Sequence, residues 1–154
     1  MTLDDAKDIA TIIGVGIAVV GFAKAVFEYV QQGVQKRAQA YFDLERSFWK
    51  DESLTAICKL LEDDDPALAT IPLATKILFV AFHEDVALML NSKLLSEGVA
   101  HYMFGYYAIL CDASVHFWKG EDKMSPYWSL FRSFVERMKK FEKGFHFGSA
   151  KLRF

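Results

Sequence analysis

The hydrophobic pattern opens with a run, Ile9 to Ala23 (IATIIGVGIAVVGFA), that holds no charge and follows the acidic positions Asp4, Asp5 and Asp8. At roughly 1.5 Å per residue this run covers about 22 Å, short of the ~30 Å hydrocarbon layer of a bilayer. Continued to Val30 the segment is long enough, and it then takes in Lys24 and Glu28. Both lie near its end, where a lysine can snorkel and pair with a carboxylate four residues on. Tyr29 suits an interfacial aromatic. The pattern predicts a helix spanning the lipid bilayer; the alternative is an apolar helix buried in an oligomer. A cleaved signal peptide is not expected, because the leading residues are acidic and no processing site interrupts the run.

Only Gly33 breaks the helical pattern beyond the run, so one helix is expected from about Asp4 to Lys50, with Thr2 and Asp5 as a capping box. Such a helix would join the next domain rigidly to the membrane. A second, short helix fits Glu52 to Leu61 and is ended by the acidic run Glu62–Asp65 and Pro66. A third is expected from Pro72 to Asn91 and a fourth from after Ser96 to Trp118. Ser125 and Pro126 open a fifth that reaches about Lys143. The third and fourth helices are apolar almost all round, as central helices covered on several sides are. No segment alternates like a strand. The expected fold is all-α: an N-terminal transmembrane helix, residues 1–33, continuing into an antiparallel bundle of about four helices, residues 34–145, with a C-terminal tail, residues 146–154.

Charge adds an orientation. Lys7 alone precedes the apolar segment, whereas Lys36, Arg37, Arg46 and Lys50 follow it closely. The positive-inside rule then places the N-terminus outside and the domain in the cytoplasm. A net charge of -2 gives no reason to expect nucleic acid. Acids gather at Asp51, Glu52 and Glu62–Asp65, and bases at Arg132, Arg137, Lys139, Lys140, Lys143, Lys151 and Arg153. Both blocks read as solvated faces, the basic one alternatively as a surface for anionic lipid or an acidic partner. Cys58 and Cys111, set in apolar helical patterns, read as buried free thiols.

Candidate chemistry is sparse. Ala10, Gly14, Ala18, Gly21 and Ala25 put small residues on a face of the first helix, the spacing that lets two spans approach closely and a homo-oligomer form. Glu84 shares a helical face with Leu73, Ile77, Val80 and Leu88, so its carboxylate needs a partner. Arg37, Arg46, Arg132, Tyr102, Tyr106 and Tyr107 are the candidates. With His83 beside it, and with Tyr102 and Tyr106, Glu84 forms the one candidate buried polar or ligand site. His83-Glu84-Asp85 lacks the second histidine of a zinc helix, and Asp112 with His116 reads as a helix-stabilising pair. No catalytic residue, metal site or cofactor is expected.

The order of Phe27-Glu28-Tyr29, Lys36-Arg37, Phe42, Phe48, Phe82, Glu84, Tyr102 to Tyr107 and Phe117-Trp118 resembles uncharacterised bacterial proteins that pair one N-terminal membrane span with a small helical domain. That resemblance implies a bacterial inner-membrane location and a helical fold, and some proteins of this shape accompany phage-defence or stress systems. The expected function is a membrane-anchored interaction or adaptor module that binds a cytoplasmic protein partner or a small signal. The alternatives are an oligomerising, pore-forming effector and a small enzyme using Glu84.

Overall fold

The computed structural model describes residues 3–144, with side chains from residue 20 onward except at 30, 31 and 34. The chain divides into two units, Met1–Ala38 and Gln39–Phe154. Helix α1 runs over Leu3–Lys50, continuing through Gly33 as its helical pattern predicts. Within the first unit, residues 20–29 are exposed throughout, and Lys24 Nζ lies 3.7 Å from Glu28 Oε1. Among the described residues no helix is long and apolar enough to cross a membrane. The expected span falls mostly on residues whose side chains lie outside the description, as do Ala10, Gly14 and Ala18 of its small-residue face. The C-terminal tail lies outside it as well.

The second unit is an all-α bundle, and among the described residues it has no strand. Its first element is the end of α1, where Tyr41 and Phe48, seven residues apart, are buried. Asp51 then caps α2 (Glu52–Glu62), accepting from Ser53 N at 2.9 Å and Leu54 N at 3.3 Å. Leu54, Ile57, Cys58 and Leu61 repeat at helical spacing and are buried. The acidic run beyond α2 is a string of local ties as well as a solvated face. Asp64 takes a positive φ of 45°; Asp65 accepts from Ala67 N at 2.7 Å and starts a 3₁₀ turn, Pro66–Thr70.

Helix α3 (Leu73–Asn91) follows Pro72. Ser96 caps α4 (Glu97–Ala100), which passes through a π turn at His101–Gly105 into α5 (Tyr106–Ala113). The fourth helix therefore ends well short of the expected Trp118. Ser114 adopts an extended ψ of 127°, and its hydroxyl accepts from Phe117 N at 2.9 Å and donates to Asp64. Asp64 also accepts from Val115 N at 3.3 Å. These bonds compete with the helix for the backbone and turn Phe117 and Trp118 inward, where the Trp118 ring N–H donates to Cys111 O at 2.8 Å. Ser125 and Pro126 open a 3₁₀ turn rather than the helix itself, and α6 runs over Ser129–Gly144.

The bundle's centre is a nest of rings. Phe48 sits 4.5 Å from Phe82 and 6.0 Å from Phe104 between ring centroids, and Phe79 sits 5.9 Å from Phe117. Each such buried phenyl contributes about 1.5–3 kcal/mol. Helix α3 packs chiefly against α6. Among the described residues it is not covered on all sides, contrary to its all-round apolar sequence. Phe79, Val80, Phe82, His83, Val86, Ala87 and Leu90 are buried, whereas Leu73, Leu78 and Leu88 on the other side are 46%, 48% and 52% exposed.

Candidate functional site

The residues of the candidate site fall in three different surroundings. His83 is fully buried. On α3 it points at the core, ringed by Phe79 at 4.7 Å, Phe82 at 5.5 Å, Phe131 at 6.0 Å, Phe48 at 6.1 Å and Phe134 at 6.3 Å between centroids. Its Nδ1 lies 2.8 Å from Phe79 O, so Nδ1 carries the proton and donates. Nε2 is buried without a hydrogen-bond partner among the described residues. Burial among phenyl rings pulls its pKa down to about 4, with the Phe79 carbonyl acting the other way. The side chain is neutral at pH 7.

Glu84, one residue on, turns to the flank of α3 and is half-buried. Of the residues that share its sequence stripe, Val80 is buried and Ile77 packs against the core, whereas Leu73 and Leu88 face outward, so the stripe is the border of the core face and not its centre. Its partner is none of the arginines or tyrosines considered. Oε1 accepts from the backbone N–H of Phe131 at 3.2 Å, in the first turn of α6. A helix start leaves unsatisfied N–H groups and a partial positive charge, and a carboxylate from a neighbouring helix answers both. Desolvation raises the carboxyl's pKa, the Phe131 N–H opposes it and Asp85 adds to it.

Tyr102 and Tyr106 are 63% and 55% exposed, on the π turn and the start of α5, and neither is bonded to His83 or Glu84. Tyr107, their neighbour, donates to Glu62 Oε1 at 3.2 Å. The π turn is fitted closely at Gly105, where a Cβ would meet His101 Cδ2 at 3.1 Å and Met138 Cγ at 3.4 Å.

Asp112 does not pair with His116, which lies beyond the end of α5. Its carboxylate instead takes Lys123 at 2.9 Å and Lys139 at 2.6 Å. Burial pushes its pKa up, but the two ammonium groups outweigh this and hold it below the usual carboxylate range. Arg132 donates to the carbonyls of Lys123 and Ser125 at 2.7 and 2.8 Å. This clip borders a cleft of about 220 Å³, and a wider one of about 460 Å³ lies beside the Glu97–Arg137 pair. Lys76 carried no signal in the sequence, yet it is buried with Nζ 5.5 Å from the Phe117 ring centroid, and burial lowers its pKa. Cys58 and Cys111 are buried and free; burial pushes the Cys58 thiol up to about 12, so it is an inert thiol.

Among the described residues no group of three histidine, cysteine or carboxylate side chains is placed to hold a metal ion. The bonds of Glu84, Tyr107 and Asp112 each tie one element of the bundle to another. No protein-family model, curated protein or solved structure matches the chain.

Proposed function

We propose that the protein is a membrane-anchored interaction module, in which the start of α1 enters the bilayer and the bundle of residues 39–144 serves as a binding body. The observation that carries this reading is the uncharged run from Ile9 to Ala23 together with its continuation. Val20, Phe22, Phe27 and Tyr29 are 69%, 73%, 67% and 79% exposed, and the Lys24–Glu28 pair follows the charge-free stretch. Apolar side chains exposed in sequence along a helix cost free energy in water and gain it in lipid. Lys36, Arg37, Arg46 and Lys50 support an inner-leaflet orientation, with the bundle in the cytoplasm of a bacterial cell. The tertiary bonds of Glu84, Asp64 and Asp112 support a structural role for those carboxylates rather than a catalytic one.

Vesicle flotation tests the reading. The full chain should float with phosphatidylcholine vesicles, and Ile17→Lys, a charge worth about 2.5–3.5 kcal/mol at a span's centre, should leave most of it at the bottom. Equal flotation of the two proteins would overturn the anchoring role of this run.

A further inference from the structure

The cleft beside Asp112 holds more hydrogen-bond donors than its own acceptors use. Arg132, Glu136 and Lys139 recur at helical spacing and share one face of α6. Asp112, in the last turn of α5, and Lys123, from the stretch between the two helices, complete the charged lining. The Asp112 carboxylate holds both ammonium groups, Lys123 on Oδ1 and Lys139 on Oδ2, and Lys123 also donates to the Asp112 carbonyl at 2.7 Å. Arg132 gives Nη1 to the carbonyls of Lys123 and Ser125, which ties that stretch to α6. An ammonium offers three N–H donors and a guanidinium five. Among the described residues, one donor of Lys123, two of Lys139 and the Nε–Nη2 edge of Arg132 are therefore left without an acceptor.

We propose that this cleft binds the phosphoryl group of a small phosphate monoester. Such a group brings close to two negative charges at neutral pH and three strong acceptor oxygens. The open edge of a guanidinium takes two of those oxygens in parallel, and the two ammonium groups act on the rest as point charges. A carboxylate ligand would bring one charge and two oxygens and leave part of the donor set unused. Charge favours an anion too. The three cations outnumber the two carboxylates of the lining, and Asp112 is already matched by its lysines. Glu136 is exposed and makes no ion pair among the described residues. Asp112 is thus a positioning residue, which holds both lysines in place before a ligand arrives and so lowers the cost of ordering them.

Volume limits what the phosphoryl group can carry. The cleft measures about 220 Å³, below the ~300–1,000 Å³ of pockets that take drug-sized ligands. The remainder of the ligand is therefore small, with Met124 as its apolar contact. This inference deepens the reading of the bundle as a binding body and rests on it, but not on the insertion of α1 into a bilayer. A failure to bind phosphate and a failure to float with vesicles are separate results.

The test is calorimetric titration of the full chain, held in neutral detergent micelles at low ionic strength. The probes are inorganic phosphate, glycerol phosphate and phosphatidic acid added to the micelles, each compared with sodium chloride at equal ionic strength. Inorganic phosphate and glycerol phosphate should both bind, and chloride should not. Arg132→Gln should weaken phosphate binding about tenfold. Because Arg132 also ties the preceding stretch to α6, a second variant leaves that tie intact. Glu136→Gln removes the unpaired carboxylate and should tighten phosphate binding about threefold. Glu142→Gln, the same change at an exposed α6 residue outside the cleft's lining, should leave it unchanged. Phosphate that binds no better than chloride would overturn the proposal. So would equal effects of the substitutions at 136 and 142, which would reduce the binding to net charge. Phosphatidic acid that binds while glycerol phosphate does not would assign the phosphoryl group to a lipid headgroup and overturn the small ligand.

Discussion

Replacing His83 with leucine isolates the most exacting feature of the core. The imidazole is fully buried among five phenyl rings, and its pKa falls from the ordinary 6.5 to about 4. The unfolded chain therefore takes up a proton as pH drops through 6.5, while the folded chain resists until about 4. The group's contribution to stability is complete above pH 6.5, is lost progressively as pH falls towards 4 and changes little below that. At pH 4.5 most of the shift is expressed, and at about 1.4 kcal/mol per unit the loss comes to about 2–3 kcal/mol. Leucine is close in volume and does not titrate. At pH 7.5 it removes the unpartnered Nε2 but also the ring contacts, so the two proteins should agree within about 1 kcal/mol. Urea unfolding of both proteins at pH 7.5, 6.5, 5.5 and 4.5, followed by tryptophan fluorescence, measures the difference. Wild type should fall relative to His83→Leu by about 2–3 kcal/mol across that range. Carboxylates common to both proteins cancel in the comparison. Parallel stability curves would refute the reasoning, because they would mean that the imidazole protonates as easily folded as unfolded.

The other expectations concern single contacts. Glu84→Ala should cost about 1–2 kcal/mol in thermal or urea unfolding at pH 7 by uncapping α6, with Glu84→Gln recovering much of it through its own carbonyl acceptor; no change in either would remove the cap. Gly105→Val should cost about 1–3 kcal/mol, because its side chain drives into His101 and Met138, and circular dichroism melting reads it directly. Gly21→Leu should leave the melting of the bundle unchanged, since nothing lies within 4 Å of a Cβ there. If overexpression of the chain is toxic, loss of that toxicity in the same variant would favour the pore-forming alternative over a passive anchor.

Local signals made much of the fold legible. Pro72 and Ser96 each mark a helix start within a residue of where it occurs, because caps and prolines act through their immediate neighbours. The missed features depend on residues distant in sequence. Ser114 ends α5 with help from Asp64, fifty residues away, and nothing in the stretch around Ser114 announces that partner. Glu84 was legible as a carboxylate in need of a donor, but the donor is a main-chain N–H, which no side-chain pattern reveals. The turn of α3 was illegible for another reason. With apolar residues on every side, the helix offers no moment to choose between His83 and Glu84 as the inward residue, and packing against α6 makes that choice. The small-residue face of the first helix was read from spacing alone, and only Gly21 and Ala25 of it fall among the residues whose side chains are described.

Carbonate extraction of membranes tests the anchored-module account most directly, comparing cells that express the full chain with cells that express a chain beginning at Gln39. The account predicts that the full chain stays in the membrane pellet through the alkaline wash while the shorter chain is found in the soluble fraction. A full chain released into the supernatant would contradict it, and the apolar start of α1 would then have to be covered by protein.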